Sequence, residues 1–89
     1  MKFKVFLHPK AKEFLEKLDK QTRERIKNKI KKLEEFPGER GKRLKHSNFW
    51  ILRIGDYRAI YEVDKENQRV VVLFIGHRKN VYDDFSKLF

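Results

Sequence analysis

The chain has 89 residues, no cysteine and a formal net charge of +10, from 23 lysines and arginines against 13 aspartates and glutamates. This length, with 39% hydrophobic residues, allows one small core, so we expect a single domain over residues 1–89. The missing cysteines exclude a disulfide framework and a thiolate metal site, and the positive charge favours a polyanionic partner, with nucleic acid as the first choice.

The sequence contains no feature that predicts a membrane location. The apolar run at the N-terminus is too short for a signal peptide, and no stretch approaches the roughly 20 apolar residues that cross a bilayer. The basic segments also lack a strongly apolar helix face that would dock on a lipid surface. We therefore expect a soluble, cytoplasmic protein with no membrane partner.

The N-terminal part predicts a strand followed by two helices. Residues 2–7 alternate in the period of a strand with one buried face, which we expect at or near a sheet edge. Pro9 suits the first turn of a helix, which we expect to run to about Leu18. Asp19 is a candidate N-cap for a second helix, and Pro37 with the following glycine ends it.

The second predicted helix has an unusual distribution of charge. Like charges recur four residues apart, as in Lys27 and Lys31, and Glu24 is the only acid between Lys20 and Lys32. An ordinary solvated helix face mixes its signs. Two interpretations follow, a solvated face or a surface in which Lys27 and Lys31 contact RNA phosphates.

A basic, glycine-containing loop over residues 39–48 leads into the next predicted strand. It is either a flexible connection or a contact with the RNA backbone, and we favour the contact because the loop adjoins the strand that carries Arg53. The predicted RNA-binding residues of this loop are Lys42, Arg43 and Lys45.

The C-terminal half predicts three strands and a short helix. The runs 50–54 and 57–63 are rich in β-branched and aromatic residues, and Gly55 with Asp56 between them favours a tight hairpin. The unbroken apolar run 70–75 suits a strand buried on both faces, at the centre of the sheet. The predicted fold is α+β, with an antiparallel sheet of about four strands covered on one face by a helical hairpin. Its order is βααβββ, followed by a short C-terminal helix.

The available side chains limit the chemistry. The three histidines lie apart, and Asp83 with Asp84 is more simply a polar part of a helix, so we expect neither a metal nor a cofactor. The serines lack a nucleophile context. The remaining set, arginine with tyrosine, lysine or histidine, suits metal-free RNA cleavage, in which the ribose 2′-OH attacks the neighbouring phosphate.

Three segments together resemble a known family: residues 52–61 (LRIGDYRAIY), residues 76–78 (GHR) and residues 81–82 (VY). Their order and spacing are similar to those of the RelE/ParE superfamily of toxin-antitoxin toxins, most of all its RelE branch, and the resemblance covers nearly the whole chain. It implies the toxin of a type II system, a ribosome-dependent and metal-independent endoribonuclease that cleaves mRNA in the ribosomal A site and inhibits translation. It also implies an acidic RelB-like antitoxin that wraps the toxin, and a ribosome with mRNA and rRNA as the target.

The resemblance assigns roles to three residues. It places the family's two arginines on Arg58 and Arg78, as phosphate or transition-state stabilisers, and its C-terminal tyrosine on Tyr82. The resemblance implies that the ring of Tyr82 stacks on a substrate base or takes part in proton transfer. The best-known RelE member carries lysines at the positions of Phe49 and Ile51, and this chain has none there.

The general base is therefore open among several residues. Arg53 lies on the same face of the predicted strand as Phe49 and Ile51, the positions of the two missing lysines, and is a candidate for their electrostatic role. His77 stands where that member has lysine and is a candidate general acid or base, with a surface histidine as the alternative. The residues that are candidates for reaching the site from the basic loop are Lys42, Arg43, Lys45 and His46.

Structural roles and other functions stay open as well. Arg58 has the alternative of a surface ion pair with Glu62, and Tyr82 that of packing the last helix against the sheet. A ParE-like inhibitor of DNA gyrase would share this fold and much of the motif pattern. A non-catalytic module that grips the ribosome or RNA is the third possibility, in which the missing strand lysines mean lost cleavage.

Overall fold

The computed structural model describes residues 2–89, which form four α-helices, one 3₁₀ turn and a five-stranded sheet. In chain order the elements are β1 (Lys4–Leu7), α1 (Pro9–Glu16), α2 (Lys20–Lys31), the 3₁₀ turn (Lys32–Glu34), α3 (Pro37–Arg40), β2 (Lys42–Arg43), β3 (Phe49–Ile54), β4 (Tyr57–Asp64), β5 (Arg69–His77) and α4 (Val81–Leu88). No helix within residues 2–89 is both long enough and apolar enough to span a bilayer.

The sheet confirms the α+β prediction and differs from it in detail. The strand order is β1-β5-β4-β3-β2, so there are five strands where about four were predicted. β1 runs parallel to β5, and the sheet is therefore mixed rather than antiparallel. β1 lies at an edge, as its period predicted. β4, not β5, is the central strand, but β5 lies between β1 and β4 and this position explains its continuous apolar run.

The ends of the first two helices follow from their capping residues. His8 precedes α1 and its Nδ1 accepts a hydrogen bond from the backbone N–H of Lys10. The helix ends at Glu16, two residues before the predicted end. Asp19 is the N-cap of α2, as predicted, because its carboxylate accepts the N–H of Thr22 at 3.0 Å. Hydrogen bonding from Thr22 lowers the pKa of this carboxyl group.

The region around Pro37 is more ordered than the sequence predicted. α2 ends at Lys31, and Pro37 begins a further helical turn, α3, instead of serving only as a stop signal. The following basic segment is also not a simple loop, because residues 42–43 form the edge strand β2. The phenolic O–H of buried Tyr61 donates to the carbonyl of Pro37 at 2.7 Å, which ties α3 to the sheet.

Helices pack on both faces of the sheet, whereas one covered face was predicted. We call the side that packs on α1 and α2 the hairpin face, and the side that packs on α4 the α4 face. The core on the hairpin face includes Leu15 and Ile26 with Leu52 of the sheet. The core on the α4 face joins Val81 and Phe85 of α4 with sheet residues Ile51, Ile60 and Leu73. The C-terminal helix therefore forms a second core with the sheet, and the part of the α4 face that it does not cover stays open.

Candidate functional site

The candidate site lies around the β3–β4 turn, which is as tight as the sequence predicted. Ile54 and Tyr57 are directly paired, so only Gly55 and Asp56 form the loop. Gly55 has a φ of 58°, in the left-handed region, while Asp56 is not among the residues with positive φ. Glycine at the first position of a two-residue loop is typical of the type II′ turns that match the twist of a hairpin.

Two of the predicted arginines meet across the strands beside this turn. Arg53 of β3 lies directly opposite Arg58 of β4, and Arg58 lies opposite Gly76 of β5. Residues that oppose each other in a sheet point to the same face. Val81 of α4 lies only 3.2 Å from the position that a Cβ of Gly76 would occupy. Both arginines therefore lie on the α4 face, at the end of the sheet near the start of α4.

Arg58 is held in place by the backbone of the turn. Its Nη1 donates to the carbonyl oxygens of Gly55 at 2.7 Å and Tyr57 at 2.8 Å. The alternative ion pair with Glu62 is not formed; the ion pairs within residues 2–89 are Lys10–Glu13, Asp64–Arg69 and Asp56–Arg78. Both backbone bonds use the same nitrogen, so Nη2 and Nε remain for an anionic ligand.

Arg78 reaches the same turn from the end of β5. Its backbone N–H donates to the carbonyl of Asp56 at 2.7 Å, and its Nε lies 3.7 Å from the Asp56 carboxylate. The side chains of Arg78 and Asp56 are 53% and 67% exposed. An ion pair this long and this exposed is weak, so a phosphate can displace the carboxylate with little loss.

Tyr82 is exposed at the start of α4. It follows Val81, the residue that packs on Gly76 opposite Arg58, and it is 50% exposed. Val81 and Phe85 make the buried contacts of this helix, so packing does not require the tyrosine. This placement leaves the ring available for stacking beside the arginines.

His77 faces away from these residues. It lies opposite Tyr57, and the two rings form an edge contact with centroids 5.8 Å apart. Tyr57 in turn packs on Phe14 of α1, which places both rings on the hairpin face. The Nδ1 of His77 accepts the N–H of Lys79. The structure therefore does not bring His77 to Arg58, and its placement does not support the predicted role in proton transfer.

Lys42 is the loop residue that the structure brings to the α4 face. It lies on β2 directly opposite Ile51, two residues along β3 from Arg53. Cross-strand neighbours have Cβ atoms about 4.5–5.5 Å apart. An amine is therefore present next to the position of Ile51, although that position itself carries none.

Arg43 and Lys45 lie elsewhere. Arg43 is opposite Trp50, whose side chain belongs to the hairpin face, and its Nε donates to the carbonyl of Ser47 at 3.0 Å. Lys45 lies in the turn that follows β2, with an exposed side chain. Neither residue joins Lys42 on the α4 face through the pairing of the strands.

An arginine that the sequence did not single out also reaches the turn. The guanidinium of Arg25, on α2, lies against Gly55, where the Cβ of any other residue would collide with it. At 100° per residue, Lys27 and Lys31 lie on the opposite flank of the buried stripe formed by Ile26 and Ile30. The helical period separates Arg25 from these two lysines, but nothing in the sequence indicates that α2 docks with Arg25 at the turn.

A large cleft lies at the other end of the sheet from this turn. It has a volume of about 810 Å³, and its charged lining residues are the acidic Glu62, Asp64 and Glu66 and the basic Arg43 and Lys65. Because the carboxylates outnumber the cations in this cleft, it suits a polyanion less well than the arginines around the β3–β4 turn do, and we do not place the site there. Residues 2–89 also contain no group of three or more histidine, aspartate or glutamate side chains that could hold a metal ion.

Comparisons with known proteins agree with this fold and motif pattern. The sequence model of the ParE toxin of type II toxin-antitoxin systems matches residues 5–82. A search of curated protein sequences returned no match. The chain therefore belongs to the ParE toxin family, within the RelE/ParE superfamily of type II toxin-antitoxin toxins.

Solved structures of both branches are similar to the chain. The RelBE2 toxin-antitoxin complex of Mycobacterium tuberculosis matches with 27% identity and a TM-score of 0.79, over 88% of this chain and 93% of that chain. A mutant of the E. coli toxin RelE in the free state, with two arginines replaced by alanine, matches with 26% identity and a TM-score of 0.79. The match covers 100% of this chain and 99% of that chain. The chromosomal ParDE system of P. aeruginosa matches with 13% identity and a TM-score of 0.73, over 84% and 95%, which is a likeness of fold.

Proposed function

We propose that this toxin is a ribosome-dependent endoribonuclease that cleaves mRNA in the ribosomal A site and thereby stops translation. The observation that supports it is the opposition of Arg53 and Arg58 on one sheet face, with Lys42 on the same face. Arg78 and Tyr82 stand at the same end of the sheet. Within residues 2–89 the only carboxylate paired with any of these cations is the exposed Asp56.

The proposed reaction is a transesterification within the RNA. The ribose 2′-oxygen attacks the adjacent phosphorus, a bond forms between them, and the bond from phosphorus to the 5′-oxygen breaks. The 2′-OH loses its proton to a base and the leaving 5′-oxygen gains one. The products are a 2′,3′-cyclic phosphate and a 5′-hydroxyl, and no metal ion takes part in this scheme.

The side chains divide these tasks by their chemistry. Arg58 and Arg78 stabilise the charge that grows on the non-bridging phosphate oxygens, because a guanidinium matches phosphate with two parallel hydrogen bonds. Arg53 and Lys42 contribute positive charge on the side of the attacking oxygen. Tyr82 stacks on the substrate base or transfers a proton.

The partner that we propose for control is an acidic antitoxin. Complexes of RelE with RelB are among the similar structures. The net charge of +10 suits an acidic chain. Leu88 and Phe89 at the end of α4, and Phe6 of β1, are each about half exposed and give such a chain apolar surface to cover.

Primer extension on an mRNA in a translating extract tests the proposal. We expect the purified protein to produce breaks within ribosome-occupied codons, and we expect Arg58→Ala and Arg78→Ala to remove them while both variants stay folded by circular dichroism. The matched control is Lys65→Ala, which also removes one positive charge but lies in the β4–β5 turn. Intact message with translation blocked would favour the non-catalytic binding module instead.

Inhibition of DNA gyrase is the second candidate. It is favoured by the match to the ParE family and by the fold of the P. aeruginosa ParDE system. The absence of lysine at Phe49 and Ile51 also fits a toxin that does not cleave RNA. A supercoiling assay separates the two functions, because inhibited gyrase together with intact message would replace the endonuclease proposal.

A further inference from the structure

Arg25 adds a cation on the other side of the β3–β4 turn from Arg58. Arg25 comes from α2 on the hairpin face, whereas Arg58 comes from the α4 face, and both guanidinium groups contact Gly55. The Arg25 guanidinium lies where a Cβ of Gly55 would be, and the Arg58 guanidinium donates to the Gly55 carbonyl oxygen. The guanidinium groups of Arg25 and Arg58 therefore both lie against Gly55, at the end of the sheet.

Nothing within the described chain neutralises this pair. No carboxylate of residues 2–89 lies within 4.0 Å of either Arg25 or Arg58, and Asp56 pairs with Arg78 instead. Like charges held close together without a counterion are unfavourable, so their arrangement favours an anion that bridges them. The side chain of Arg25 is exposed, so such an anion can reach it from solvent.

The absence of a side chain at Gly55 makes this arrangement possible. A Cβ at Gly55 would collide with the Arg25 guanidinium, and the φ of 58° also disfavours any L side chain. The same glycine therefore shapes the turn and admits the arginine. A simple structural brace would need a hydrogen-bond acceptor for Arg25, and no hydrogen bond from its side chain is among those formed within residues 2–89.

We infer that Arg25 binds a second phosphate of the RNA, next to the one held by Arg58 and Arg78. The inference rests on the proposed function in taking RNA as the ligand. A chain that passes over the turn places one phosphate on the α4 side and the neighbouring phosphate on the hairpin side. Arg25 is then a binding residue for the substrate backbone, and it reads no base.

Binding of RNA oligomers of different length tests this inference without any cleavage. The probes are fluorescent, 2′-O-methylated oligomers, a dinucleotide with one phosphate and a tetranucleotide with three, measured by anisotropy across a range of salt. We expect the wild-type protein to bind the tetranucleotide about tenfold more tightly. Arg25→Ala keeps its dinucleotide affinity within about twofold, loses the gain with length, and lowers the salt slope for the tetranucleotide by about 0.7.

Matched variants keep the result interpretable. Arg25→Lys retains the charge and is expected to keep most of the salt slope, whereas Arg58→Ala weakens both oligomers equally. Lys65→Ala, which removes a charge at the far end of the sheet, is expected to lower both affinities slightly and equally. An Arg25→Ala protein that binds both lengths like the wild type, or loses affinity equally for both, overturns the inference.

The test is separate from that of the proposed function. The methylated oligomers cannot be cleaved and need no ribosome, so the length dependence is measured whether or not the toxin is a nuclease. If the wild-type protein leaves mRNA intact while Arg25→Ala still loses the gain with length, the endonuclease proposal fails and the second phosphate site stands.

Discussion

At the scale of single residues, Arg58 and Arg78 differ in how firmly the protein holds them. Arg58 makes two hydrogen bonds shorter than 3.0 Å to backbone carbonyls, so its position is set in advance of any ligand. Arg78 has one long contact with the exposed carboxylate of Asp56. We therefore expect Arg58 to define where the phosphate binds, and Arg78 to adjust to it.

Tyr61 makes a buried hydrogen bond that stabilises the packing of α3 on the sheet. It is fully buried, its hydroxyl donates to the carbonyl of Pro37, and burial raises its pKa to about 12. Tyr61→Phe leaves that carbonyl without its donor, so we expect a loss of about 1–2 kcal/mol in the free energy of unfolding. Urea unfolding measures it. Tyr82→Phe, at an exposed position, is the control, and an equal loss in both variants would contradict the assignment.

Asp64 links stability to pH in the acid range. Hydrogen bonds from Asn67 and then from Arg69 lower its pKa to about 2. Because the folded value lies below the unfolded value of about 4, the carboxylate stabilises the fold above pH 4. That contribution is lost as the pH falls from about 4 towards about 2. We expect Asp64→Asn to flatten the acid-unfolding profile in this window, and an unchanged profile would show that the two hydrogen bonds do not persist in solution.

At the scale of elements, local sequence signals predicted most of the secondary structure. The cap at Asp19, the proline at position 9 and the tight hairpin at Gly55 are all confirmed, because each depends on residues a few positions apart. With a two-residue loop at Gly55 and Asp56, counting outward along the two strands also pairs Arg53 with Arg58. A local turn signal is therefore sufficient to bring these two arginines to one face of the sheet.

The remaining features depend on contacts between distant parts of the chain. The parallel pairing of β1 with β5 joins residues more than 60 positions apart, and no local pattern fixes its direction. The same is true of Lys42, which joins Arg53 on the α4 face only because β2 pairs with β3, and of Arg25, whose position at the turn depends on how α2 docks. His77, for which the sequence left a catalytic and a surface role open, lies on the hairpin face because it pairs with Tyr57.

The packing of α4 on the sheet depends on a glycine. A Cβ added at Gly76 would lie 3.2–3.4 Å from atoms of Val81, so Gly76→Ala forces the start of α4 away from the sheet. We expect a loss of about 1–3 kcal/mol in the free energy of unfolding, measured by denaturant titration. Gly38→Ala is the matched control, because its added Cβ meets only Trp50 at an ordinary 3.7 Å. Equal stability of the two variants would contradict this packing.

At the scale of the whole molecule, the basic residues behind the charge of +10 include one group close to the proposed site and another group away from it. Lys42 shares the α4 face with Arg53 and Arg58, whereas Lys27 and Lys31 lie on the flank of α2 away from Arg25. Charges near the reacting atoms affect the chemical step, and more distant charges affect the rate of encounter. The two groups of lysines should therefore change different kinetic constants.

We expect the double change Lys27→Glu with Lys31→Glu to slow association with ribosomes and to reduce its salt dependence, with little effect on cleavage at saturating ribosome concentration. Lys42→Ala is expected to lower the saturated cleavage rate by about 10²-fold, the size of a typical electrostatic contribution in an active site. Single-turnover cleavage across ribosome concentrations measures both constants. An unchanged saturated rate in Lys42→Ala would remove this lysine from the proposed site.

The most direct test of the proposed chemistry uses a ribosome programmed with an mRNA that carries one 2′-deoxynucleotide at the cleaved position of the A-site codon. The wild-type toxin is predicted to cut the all-ribose message, to leave a 2′,3′-cyclic phosphate, and to leave the deoxy-substituted message intact, because the attacking 2′-oxygen is missing. Cleavage of the deoxy-substituted message at the same bond would contradict the mechanism.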